Sequence, residues 1–212
     1  MLEATHLLAF AGTALLVLVA PGPAILFLVA RSLHLGRGAG LVSAVGLTAG
    51  AAVHAIATAV GLSALIATSI AWFTAIQLLG AGYLIYLGIR AWRTADAPLE
   101  MARPEPRSNG RNFLDGFLVN VFNPKLSLFF LAFLPQFVRP DAGGVQTQLL
   151  VLGSVFVLLA LLVDGTYALV AGTLQPWFTR SRGAVRRQRR VSALIYVGLG
   201  VAAALTGRKA TS

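Results

Sequence analysis

Cysteine is missing from all 212 residues. Disulfides, thiolate metal sites and thiol redox chemistry are therefore excluded, including the two-cysteine mechanism of membrane thiol carriers. Charge is also scarce: Asp, Glu, Lys and Arg make up 11% of the chain, and only seven residues are acidic. A soluble domain usually carries about 25% charged residues. What fills the chain instead is apolar, with 57% hydrophobic residues and a mean hydropathy of +0.79. A water-soluble protein is excluded. One bilayer crossing takes roughly 20 apolar residues, so this length holds six or seven crossings with short connections and no separate soluble domain.

Apolar stretches run from His6 to Ala30, Leu41 to Ala67, Ile70 to Trp92, Phe113 to Val138, Leu149 to Thr173 and Val191 to Leu205. These predict six spans, the last a short one helped by flanking side chains that reach the interface. Met1 to Thr5 holds Glu3 and no basic residue, unlike the start of a cleaved signal, so span one is expected to be retained. Thirteen Lys and Arg residues fall in the connections one-two, three-four and five-six, against three on the other face. The bias predicts that those three connections are cytoplasmic and both termini lie outside. The net charge of +10 then follows from topology, with the run Arg180 to Arg190 suited to anionic lipid and not to nucleic acid. The segment Thr94 to Asn112, rich in proline and charge, reads as a cytoplasmic linker between residues 1–93 and 113–212. An odd number of spans on each side makes the two triplets inverted repeats within one membrane domain, a recurrent plan of transporters.

The first span of each triplet carries a break. Pro21, Gly22 and Pro23 interrupt span one; Asn123, Pro124 and Lys125 interrupt span four. Two prolines remove two backbone donors, and Gly22 admits dihedrals that other residues resist. Gly22 and Asn123 then serve as N-caps, with Pro23 and Pro124 opening new half-helices. By the predicted topology both new N-termini face the membrane interior, where free amides and the helix dipole favour an anion such as a carboxylate. Kinked packing helices would leave the same local pattern, but matched breaks in two repeats mark a transport site better than one break does.

Lys125 sits at one of these N-termini, in low dielectric, and calls for an anion: either a substrate carboxylate or Asp164, which faces the same problem in span five. His54 in span two is either a proton relay or a packed neutral imidazole. Asn120 and Asn123 offer polar contacts to a ligand or to a neighbouring helix. Asp115, close to the start of span four, is expected at the interface. Gly46 and Gly50 form a small-xxx-small step for close helix contact, within the chain or across a dimer.

The segments APGPAILFLVARSLHLGRGAGL (Ala20 to Leu41), GAGYLIYLGIRAWR (Gly80 to Arg93) and FLVNVFNPKLSLFFLAFLPQF (Phe117 to Phe137) resemble the LysE/RhtB family of amino-acid exporters, on the homoserine and threonine side. The resemblance implies an all-α polytopic protein of the bacterial cytoplasmic membrane with six transmembrane helices, dimeric, expelling amino acids with the proton motive force. It needs no cofactor. Hallmark positions carried onto this chain are Pro21, Gly22, Pro23, Asn120, Asn123, Pro124, Lys125, Pro135 and Gln136. Helix two lacks the acid that many relatives place after the small pair, reading Gly50-Ala51-Ala52-Val53-His54, which leaves His54 and Asp164 as the proton candidates. Substrate is expected at Pro21 to Pro23, Asn120, Asn123 to Lys125, and Asp164. A divalent-cation exporter would want more carboxylates at membrane depth than Asp164, and an enzyme acting on lipid phosphate would need clustered acids or a nucleophile-base pair that the sequence does not show.

Overall fold

The computed structural model describes residues 3–20, 22–68, 105–139 and 143–180, with single residues or pairs between 75 and 93 and between 190 and 201. Most of spans three and six (70–92 and 191–205), Pro21, most of the linker and most of the run Arg180 to Arg190 lie outside the described residues. The described residues are helical, with no strand among them. The protein is an all-α polytopic membrane protein.

Span one is two helices, α1 (Ala4–Val19) and α2 (Pro23–Leu35), bent by 59°. The prolines dictate the break, because neither can donate to the carbonyl four residues back and each ring collides with it. Gly22 caps α2 with Pro23 in its first turn, as the sequence indicates. Its backbone, at φ −140° and ψ −173°, is ordinary extended chain that any residue adopts. The expectation that glycine is needed here for its dihedrals is therefore incorrect; what the missing side chain supplies is room. A Cβ at Gly22 would lie 3.5 Å from Lys125 Nζ.

α2 continues past the end of its apolar run to Gly36, whose φ of 89° is the left-handed turn that glycine adopts cheaply. Arg31, assigned to a loop from the hydropathy, is consequently inside α2 and buried. The chain turns at Gly36 into α3 (Arg37–Thr68), one of two unbroken helices among the described residues that are long and apolar enough to cross a membrane.

Span four starts earlier than its apolar run. α4 (Asn109–Val121) is capped by Ser108 Oγ, which accepts from Arg111 N, so the last residues of the presumed linker are helix. After Phe122 the chain restarts as α5 (Pro124–Leu128), capped by Asn123, widens into a π turn over Phe129–Phe133 and tightens into a 3-10 turn over Leu134–Phe137. Pro135 explains the change of pitch. It cannot donate to Leu131 O and crowds it, and the chain responds with a wide turn in which Leu134 N donates to Phe129 O. Gln136 Nε2 covers the nearby Ala132 O at 2.9 Å. The two parts of span four are bent by 46°. α6 (Val145–Arg180) is the second unbroken crossing.

The small residues settle how the helices approach. A Cβ on Gly46 would collide with Phe113 O, one on Gly50 would lie 2.8 Å from Phe117 O, and one on Gly116 would collide with Ser43 O. The small-xxx-small step of α3 is thus spent against α4 within the chain. Gly153 plays the same part between α6 and Ala55 of α3. Away from the breaks, Phe10, Phe129, Phe130 and Phe156 are fully buried in tilted and edge-to-face ring contacts, with Phe129 and Phe156 ring centroids 4.9 Å apart. This core fixes the far halves of spans one and four against α6.

Candidate functional site

In an unbroken helix each carbonyl accepts from the N–H four residues on. Proline at that place leaves the carbonyl without a donor, and in a membrane such an orphan must find another partner within the protein. Pro21 orphans Val17 O and Pro23 orphans Val19 O, while Asn120 O, which loses its helical donor to Pro124, accepts from Asn123 N at 3.1 Å instead. Each of the three carbonyls is met by a side chain from a different span. Lys125 Nζ donates to Val17 O at 3.0 Å and also to Ala20 O at 2.9 Å. The Tyr167 hydroxyl of α6 donates to Val19 O at 3.1 Å. His54 Nε2 of α3 lies 3.1 Å from Asn120 O. Since a carbonyl only accepts, that nitrogen carries the hydrogen.

The breaks therefore hold each other. The start of α5 supplies the ammonium that covers the end of α1, and Gly22, at the start of α2, lies against the Lys125 side chain. The two half-helix N-termini meet, as the sequence indicates. The Lys125 ammonium donates to backbone carbonyls, and Asp164 stands within coulombic reach of it. Both side chains are buried, at 7% and 6% exposure. No hydrogen bond to the Asp164 carboxylate is found among the described residues. Tyr167 is one turn further along the same face of α6, beside Asp164.

Asn120 and Asn123 are brought to the same place but face inward to the protein. Asn120 Nδ2 donates to Leu47 O at 2.6 Å, its Oδ1 accepts from Asn123 Nδ2 at 3.2 Å, and Asn123 Oδ1 accepts from Lys125 N at 3.1 Å. They cap and brace α5. His54 also stacks on Phe130, with ring centroids 6.0 Å apart.

A second polar cluster, not anticipated from the sequence, lies at the arginine-rich end of the same two spans. Arg31 of α2 donates through Nη2 to Asp115 Oδ2 of α4 at 2.5 Å and through Nη1 to Asn112 Oδ1. Arg107 and Arg111 reach the same carboxylate at 3.0 and 3.2 Å. The Asp115 side chain is thereby only 14% exposed. Gly36, as a helix stop, would have placed Arg31 inside a helix; its partner 84 residues away has no local signal.

Long apolar helices, two of them split by proline, with a buried lysine and a buried carboxylate where the splits meet, define a multi-pass membrane translocator. The sequence is more particular. Residues 15–207 match the model of the LysE type translocator family, and the chain belongs to it. It is 30% identical to the uncharacterized membrane protein YrhP of Bacillus subtilis over 94% of this chain and 99% of that one. It is 32% identical to the homoserine/homoserine lactone efflux protein of Salmonella typhimurium over 78% of this chain and 80% of that one. An uncharacterized membrane protein of Vibrio cholerae is 30% identical over 92% of this chain and 94% of its own length. No solved structure matches the chain.

Proposed function

We propose that the protein exports small neutral amino acids of the homoserine or threonine type from the bacterial cytoplasm, as a proton-coupled antiporter of the inner membrane. The observation that carries this reading is the buried carboxylate of Asp164 beside the buried Lys125 at the meeting of the two breaks. A zwitterion complements that pair. Its ammonium replaces the Lys125 ammonium on Val17 O and Ala20 O and faces Asp164, releasing the Lys125 ammonium to hold the substrate carboxylate. The exchange keeps one cation on the carbonyls throughout. Protonation of Asp164 would discharge the ammonium and couple export to proton entry, with His54 as the second candidate.

In this reading residues 1–93 and 113–212 are inverted halves that rock about the breaks, both termini lie outside, and the chain works as a homodimer. Pro21 to Pro23 and Asn120 to Lys125 shape the site from the two halves. The name of the Salmonella relative adds a discriminating ligand pair, because homoserine lactone keeps the ammonium of homoserine and lacks its carboxylate. Counterflow in proteoliposomes, with and without a pH gradient, tests the scheme. Asp164→Asn should nearly abolish exchange of both ligands. Lys125→Met should abolish exchange of homoserine while sparing more of the lactone's. Normal amino-acid flux through Lys125→Met would overturn the carboxylate role, and flux indifferent to the pH gradient would overturn the antiport.

A further inference from the structure

We infer that Arg31 and Asp115 form the cytoplasmic gate of the translocation path, opposed by an external gate between Glu3 and Arg139. Two ion pairs join spans one and four, one on each side of the breaks. On the arginine-rich side the later half of span one gives Arg31 to Asp115 in the earlier half of span four, at 2.5 Å. On the other side the later half of span four gives Arg139 to Glu3 at the start of span one, at 3.1 Å. Each pair thus sets an arginine following one break against an acid preceding the other, the relation an inverted repeat produces.

The inner pair closes that side tightly. The Arg31 side chain is 7% exposed, its guanidinium lies 5.0 Å from the Phe27 ring centroid, and its fork engages Asn112 as well as Asp115. The outer pair is looser, with Arg139 and Glu3 side chains 38% and 64% exposed. Its arginine is steadied by Gln148, which accepts from Arg139 N at 2.9 Å and donates to Arg139 O at 2.8 Å.

The inner pair is also built to part. Asp115 is shared by three guanidiniums, so it keeps Arg107 and Arg111 when Arg31 leaves. Asn112, the other partner of Arg31, lines with His34, Arg107 and Asn109 a groove of about 540 Å³ on that face. The carboxylate is not stranded when α2 swings from α4, which is what distinguishes a gate from a static lock. A path running between the breaks cannot open to one side without parting the pair on that side.

The inference rests on the transport reading, but its test needs no substrate. The native chain has no cysteine, so Ala24→Cys, one residue past Pro23, is a lone reporter. Its labelling by a membrane-impermeant maleimide is followed in inside-out and right-side-out vesicles. Asp115→Asn should raise the rate several-fold from the cytoplasmic side only, Glu3→Gln from the external side only, and the double exchange Arg31→Asp with Asp115→Arg should return the rate toward the parent. If Asp115→Asn does not insert, Arg31→Lys, which keeps the charge and loses the fork, should act in the same direction. Unchanged cytoplasmic labelling in an inserted variant, or an equal rise from both sides, overturns the gate. Absent amino-acid counterflow with the labelling pattern intact would instead overturn only the substrate assignment.

Discussion

Removal of the Lys125 ammonium separates its structural from its transport role, because two opposing energies nearly cancel in stability and cannot cancel in flux. Lys125→Met keeps the volume and deletes the charge. It takes the donor from Val17 O and Ala20 O, which lie 3.0 and 2.9 Å from Nζ. A buried acceptor left without a partner costs about 1–3 kcal/mol, so two such losses put the penalty at about 2–6 kcal/mol. Against this stands the relief of taking a lysine out of the middle of a span, about 2.5–3.5 kcal/mol on insertion scales. The expected net change is a loss of at most about 3 kcal/mol, a few degrees in a thermal melt of the purified protein. Exchange of a neutral amino acid should fall at least about 100-fold, the equivalent of losing about 3 kcal/mol of charge-assisted substrate contact. The measurement pairs a fluorescence melt in detergent with counterflow in liposomes. A variant that melts far below the parent would show that Lys125 is chiefly a brace; a variant that melts normally and transports normally would refute the substrate role.

Gly46→Val should be severely destabilising, by about 3 kcal/mol or more as overpacking against unyielding backbone, and visible as loss of the monodisperse peak in size exclusion, because its first side-chain carbon meets Phe113 O. Gly22→Ala should insert and melt like the parent, since its φ of −140° suits alanine, while its new methyl at 3.5 Å from Lys125 Nζ should slow exchange a few-fold in counterflow. His54 offers a choice between bracing and relay: His54→Gln, which can still donate to Asn120 O, should keep the melt and the pH-driven flux, whereas His54→Leu should lose about 0.5–1.5 kcal/mol by removing one of the two donors to that carbonyl, the other being Asn123 N. Flux in His54→Gln that no longer responds to a pH gradient would refute bracing and make His54 the relay.

How much of this could be read from the chain divides along a physical line. Where a helix must break is a local matter, because proline lacks a donor wherever it stands; Pro21, Pro23 and Pro124 therefore announced both breaks. Which side chain would cover each orphaned carbonyl is not local. Lys125 finds Val17 O across 108 residues and Tyr167 finds Val19 O across 148, and such pairings exist only once the spans are packed. The same division explains Arg31. Hydropathy ended span one at Ala30 because an arginine in apolar surroundings is costly on its own account, yet α2 carries it inside at 5% exposure since Asp115 and Asn112 wait there. A buried charge is thus invisible to any reading that weighs residues one at a time, and the polar groups such a reading misplaces are those that join two separate breaks into one site.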